Sequence, residues 1–198
     1  MNTTSQTLIR GGAVALLFVS SIAMAEVSES LRGIIESVDG QTLLVKARNG
    51  RTTKVKLVNG AHVFTLKPAS FADIKLGSFV GIVTKPQANG TESAAGIYIF
   101  PGDPERDPFD IPTSGLVTPS DAGQVLEYVE GSISKNDGQT LTVRRQVGDA
   151  TIPASADARI VAVTPASIAD ITPGQNFFVP NGRPVSFAIV APTIILGE

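Results

Sequence analysis

The sequence predicts an all-β protein built as two tandem small barrels, and three features carry that prediction. Asp39-Gly40-Gln41-Thr42-Leu43 returns as Asp137-Gly138-Gln139-Thr140-Leu141, at an offset of 98, and Pro68-Ala69-Ser70-Phe71-Ala72-Asp73-Ile74 returns as Pro165-Ala166-Ser167-Ile168-Ala169-Asp170-Ile171, at an offset of 97. Blocks recurring in one order mark an internal duplication. Between them, apolar and polar residues alternate in runs separated by Asp-Gly and Asn-Gly pairs, the pattern of half-buried strands joined by tight turns. Each repeat also holds one helical signal. The duplicated residues are turn and cap chemistry, which specifies a backbone path rather than a reaction.

Residues 1–25 read as a cleaved secretory signal peptide. The amino terminus and Arg10 supply positive charge, Ala13 to Ile22 is a short apolar run, and Ala23-Met24-Ala25 satisfies the small-residue rule for cleavage before Glu26. The run is shorter than the ~20 residues a membrane span requires. With no Cys in the chain, a lipid-anchored form is excluded. The mature chain is therefore expected in the periplasm or secreted, with no transmembrane segment after cleavage.

Removing Arg10 takes Lys+Arg from 16 to 15 against 18 acidic residues, a net charge of about -3. A near-neutral chain is a poor match to nucleic acid, whose binding rests on phosphate neutralisation. The absence of Cys also means that each small domain must stand on its apolar core alone.

Repeat one is expected over 26–100. Leu31 to Val38 alternates as a strand, Asp39-Gly40 reads as a type I′ turn, and Gln41 to Arg48 returns. Asn49-Gly50 turns into Arg51 to Val58, and Asn59-Gly60 turns once more into a fourth strand, Ala61 to Leu66. Ser70 and Asp73 have capping-box spacing at the start of a short helix closed by Gly77. A final hairpin, Ser78 to Lys85 and Thr91 to Phe100, joins through Asn89-Gly90. Strands, a helical plug and a hairpin are the order of an OB-like barrel, with a two-sheet β-sandwich as the alternative. Residues 101–124 carry five prolines and read as an acidic linker. Repeat two follows over 125–198, where Pro153 requires an edge position or a bulge.

The run from Leu31 through Asp39-Gly40-Gln41-Thr42-Leu43, with Pro68-Ala69-Ser70, Ala72-Asp73-Ile74, Gly77 and Ile97-Tyr98-Ile99-Phe100-Pro101, resembles a secreted bacterial domain family of unknown function with OB-like repeats. The resemblance covers nearly all of repeat one and, more loosely, repeat two. It implies export and fold. Relatives are sometimes labelled metal-transporter permease components, a label this sequence does not support, since a permease needs several spanning helices. The linker also lacks the His-containing acidic stretch associated with relatives.

Three groups of residues are candidates for chemistry. The linker carboxylates Asp103, Glu105, Asp107 and Asp110 offer hard oxygen ligands of the kind calcium or magnesium takes. Against that, the calcium-loop glycine is missing and Ser114 stands where a bidentate Glu belongs, so a solvated acidic linker is the ordinary explanation. Lys46, Arg48, Lys54 and Lys56 fall on one side of strands two and three, with Arg51 at their turn. That face suits an anionic glycan, a lipid headgroup or an acidic protein surface, and its ordinary explanation is a strand pair kept soluble by lysines. His62 is the chain's single histidine, so a Ser-His-Asp arrangement would have to use it; as it alternates with Phe64 and Leu66, a packed barrel-wall histidine accounts for it. One His and no Cys do not make a zinc site. The repeated pairs Asp39/Asp137 and Asp73/Asp170 already have turn and cap duties. Phe64, Phe71, Phe79, Phe100, Phe177, Phe178 and Phe187 are expected to fill cores.

The resulting expectation is an exported, non-catalytic binding or scaffolding protein, with no cofactor, whose partner is a protein or an anionic surface ligand. The alternatives are a periplasmic metal- or small-ligand-binding accessory protein and a carboxylate-dependent hydrolase.

Overall fold

In the computed structural model, residues 28–87, 90–102 and 127–197 are described. The expected signal peptide and the linker carboxylates lie outside them. The strands are β1 (Glu29–Asp39), β2 (Thr42–Ala47), β3 (Thr52–Pro68), β4 (Phe79–Pro86), β5 (Glu92–Ile99), β6 (Glu127–Asn136), β7 (Thr140–Arg144), β8 (Ala150–Ala166), β9 (Asn176–Val185) and β10 (Ala188–Leu196). Among the described residues two 3-10 helices, Phe71–Asp73 and Ile168–Asp170, follow β3 and β8.

The all-β barrel expectation holds, but the barrels do not follow the repeats. The first closes as β1-β2-β3-β10-β9 and back to β1, with β3 and β10 parallel. The second closes as β6-β7-β8-β5-β4 and back to β6, with β8 and β5 parallel. Each is a five-stranded Greek-key barrel of OB type that takes three strands from one repeat and two from the other. The boundaries expected at 26–100 and 125–198 therefore divide the sequence, not the structure. In physical terms, β3 and β8 are 17 residues each, roughly 55 Å of extended chain. Each runs past its own barrel and delivers the following hairpin to the other one. Where they cross, Val63 to Pro68 pairs antiparallel with Val161 to Ala166. Leu66 lies opposite Val163, its own counterpart at an offset of 97, so a pseudo-two-fold axis passes through that pair.

The turns differ in detail from the sequence reading. Asp39 pairs with Thr42, which makes Gly40 and Gln41 the turn residues, and only Gly40 takes positive φ (57°), so the turn is not type I′. Asn59-Gly60 does not reverse the chain at all. Leu57 faces Ala191 and His62 faces Thr193, so the residues between form a bulge within one continuous β3, with Gly60 at φ 76°. The bulge bends the strand around the barrel corner. Pro153 sits on the β7 edge of β8, just before the matching irregularity between Ala154 and Arg159.

The described residues form three apolar cores. Ile35, Val45, Leu57, Phe177 and Ile194 fill the first barrel, and Val80, Ile82, Ile97, Leu141 and Val143 fill the second. Between them Phe64, Leu66, Tyr98, Phe100, Val161, Val163, Phe178 and Ile195 make a shared core. The repeats compensate one another there. Phe178 of β9, with the Arg32 guanidinium 3.8 Å over its ring, corresponds to Gly81 of β4. The space above Gly81 is taken by Tyr128, whose hydroxyl an added Cβ would strike.

The caps form as the sequence predicts, on 3-10 turns instead of α-helices. Ser70 N–H and Oγ–H both donate to Asp73 Oδ2, at 2.8 and 2.7 Å, and Ser167 treats Asp170 in the same way at 2.8 Å. These bonds hold both carboxyls below the ordinary 3.8, the Ser70 hydroxyl bond leading at Asp73 and the Ser167 amide bond at Asp170. A depressed folded-state pKa contributes stability that is present above the unfolded value and is lost as the pH falls through the folded one. Thermal melts are therefore expected to hold steady near neutral pH and to drop below pH 3.8. Asp73→Asn with Asp170→Asn should flatten part of that drop; an unchanged acid limb would contradict the assignment.

Candidate binding site

The basic residues expected on one face are placed by the β2–β3 register. Lys46 pairs with Thr52, Leu44 with Lys54 and Thr42 with Lys56, while Val45, Ala47, Val55 and Leu57 point into the barrel. Lys46, Lys54 and Lys56 thus share the outer wall, and all three are exposed. Arg48 is exposed in the β2–β3 loop. Arg51 leaves the same loop and pairs with Glu29 of β1 at 3.3 Å.

Of the five, Arg51 and Lys54 line a groove of about 500 Å³. Leu44 of β2 and Ala188 of β10, which flank Lys54, give it apolar surface, and Thr52 and Thr53 also line it. Pro184, Ser186 and Phe187 at the β9–β10 turn complete its lining. This is the strand-two and strand-three face on which OB barrels take ligands, completed here by a hairpin from the other repeat.

That turn is what sequence reasoning missed. Phe187 was expected in a core and is instead 95% exposed; Val185 is 51% exposed. Val185 pairs with Ala188, leaving a two-residue reversal at Ser186-Phe187. Ser186 has φ 53°, alone among the described non-glycine residues in taking positive φ. Nothing in the sequence marks a positive-φ position there, because neither Ser nor Phe favours the left-handed region. Phe64, Phe100, Phe177 and Phe178 are buried as expected, and Phe71 and Phe79 are half-buried.

A larger hollow of about 650 Å³ lies on the second barrel, lined by Tyr128, Glu130, Arg144, Arg145 and Val147 among others. Its Arg145 is occupied holding its own loop, Nε donating to the Gly148 carbonyl at 3.2 Å. The first-barrel groove instead opens onto the lysine wall, which makes it the stronger candidate.

No known family model, curated protein or solved structure matches this chain. The geometry alone therefore ranks the candidates. His62 is exposed on β3, stacked on Phe64 with ring centroids 6.3 Å apart, as a barrel-wall histidine would be. Among the described residues no group of three or more His, Cys, Asp or Glu converges as a metal site. Asp103, Glu105, Asp107 and Asp110 fall outside the described residues. What the groove supplies chemically is positive charge beside apolar surface, which is the chemistry of binding an anion-bearing partner.

Proposed function

We propose that this protein is an exported, non-catalytic binding module of the periplasm that docks an acidic protein surface on the β2–β3 wall of its first barrel. The observation that carries the reading is the shared outer placement of Lys46, Lys54 and Lys56, continuous through Lys54 with the groove that holds Arg51. Opposite charges across such a wall steer encounter and fix register more than they add raw affinity. The second barrel, locked to the first by the shared core, acts as a rigid base. The leader-like residues 1–25 support the compartment. Among the described residues, no helix is long and apolar enough to cross a membrane.

A photo-crosslinking residue placed at Lys54 in the full chain, in cells, tests the reading against the same residue at Lys135 on the second barrel. A discrete adduct from position 54 alone, lost on adding Lys46→Glu and Lys56→Glu, is the expected result. Absence of an adduct, or equal adducts from both positions, would contradict the reading.

A further inference from the structure

We propose that the β9–β10 turn is an interfacial anchor that seats the first barrel on a lipid bilayer bearing anionic headgroups. Phe187 projects almost wholly into solvent, with Val185 beside it, on a reversal that holds Ser186 in the left-handed region at φ 53°. A non-glycine residue kept in that conformation is backbone strain, which persists where the surrounding structure imposes it. Nothing in the barrel requires an apolar tip. The corresponding β4–β5 turn of the second barrel has the sequence Gln87-Ala88-Asn89-Gly90-Thr91, with no aromatic residue, and its Gln87 donates to Ser93 at 2.6 Å. The chemistry of the β9–β10 turn is thus particular to one barrel and not a property of the fold.

The occupant follows from the size and surroundings of the tip. Phe187, Val185 and Pro184 form a protrusion far smaller than the ~800 Å² per partner that a stable protein interface buries. A bilayer surface needs no complementary pocket: a few apolar side chains entering the headgroup boundary suffice when cations beside them meet anionic lipid. Lys54 lines the same groove as Phe187, Lys56 follows two residues on along β3, and the acidic lining residue, Glu29, is paired with Arg51, which leaves the lysines to meet an anion. This anchor goes beyond the docking of an acidic protein by adding the apolar tip of the turn to the cations that the strand wall supplies.

The chain contains no Trp, so Phe187→Trp introduces a sole indole reporter. In the processed chain from Glu26, its emission is expected to shift to the blue with vesicles of phosphatidylglycerol and phosphatidylcholine. It should stay unchanged with phosphatidylcholine alone and return on adding salt. Phe187→Ser should weaken sedimentation with the anionic vesicles about tenfold or more, the effect of losing one inserted phenyl ring. Leu76→Ser, at another exposed apolar position, should leave sedimentation unchanged. Val185→Ser, at an exposed tip residue outside the groove lining, should also weaken sedimentation yet leave the Lys54 crosslink in place, which separates failure of the anchor from failure of protein docking. The anchor is overturned if Phe187→Ser sediments like the parent chain or if the indole emission does not respond. It is equally overturned if poly-glutamate shifts the emission and vesicles do not, which would assign the tip to an acidic polypeptide.

Discussion

Replacing Phe178 with alanine is expected to lower the stability of the whole molecule by about 3–5 kcal/mol, the range for emptying a buried aromatic site. Phe178 is fully buried, and its position explains why the effect spreads. It belongs to β9 in the first barrel, opposite Arg32 of β1 and Ile195 of β10, yet its ring faces the shared core. Phe64, Leu66, Val161 and Val163, from the two strands that cross between barrels, lie in the same cluster. The cavity would therefore loosen the contact on which both barrels depend, and removing the ring also strips the Arg32 guanidinium of its π-face partner. At about 2–4 °C per kcal/mol for a chain of this size, the melting temperature should fall by roughly 6–20 °C. The transition should remain single by calorimetry. Two separated transitions, with only one displaced, would mean that the barrels unfold independently.

Local structure was legible in the sequence because its causes are local. Alternation placed β1 and β2, and the Ser-x-x-Asp spacing gave both caps, since each depends on residues within a few positions of one another. The exchange of hairpins was not legible. Two similar repeats present nearly the same strand partners, so the β4–β5 hairpin satisfies its pattern on either copy. The choice rests on whether the chain turns back after Pro68, as in domain swapping. The Asn59-Gly60 pair failed as a turn signal for a related reason: a glycine with positive φ serves a bulge as well as a reversal, and only the parallel β10 partner decides which.

The lysine wall was readable from spacing alone, because a two-residue period fixes which side of a strand a residue takes. The groove was not, since Phe187, Ala188 and Ile189 reach it from the other repeat through a strand exchange that the residue pattern does not encode. Neither Ser186 nor Phe187 favours positive φ, so Phe187 reads as core filling like the other phenylalanines. The compensation of Gly81 under Tyr128 by Phe178 under Arg32 was not legible either, because it depends on which strands meet at the shared core.

The central structural claim is that each barrel is completed by strands from both repeats, and one cut tests it. A protease site introduced between Asp103 and Gln124 separates a fragment carrying β1 to β5 from one carrying β6 to β10. Gel filtration of the nicked protein is expected to give a single species containing both fragments, which part only in denaturant. Its unfolding should become concentration-dependent, as for any obligate complex. Two folded fragments eluting apart without denaturant would contradict the exchange and return one barrel to each repeat.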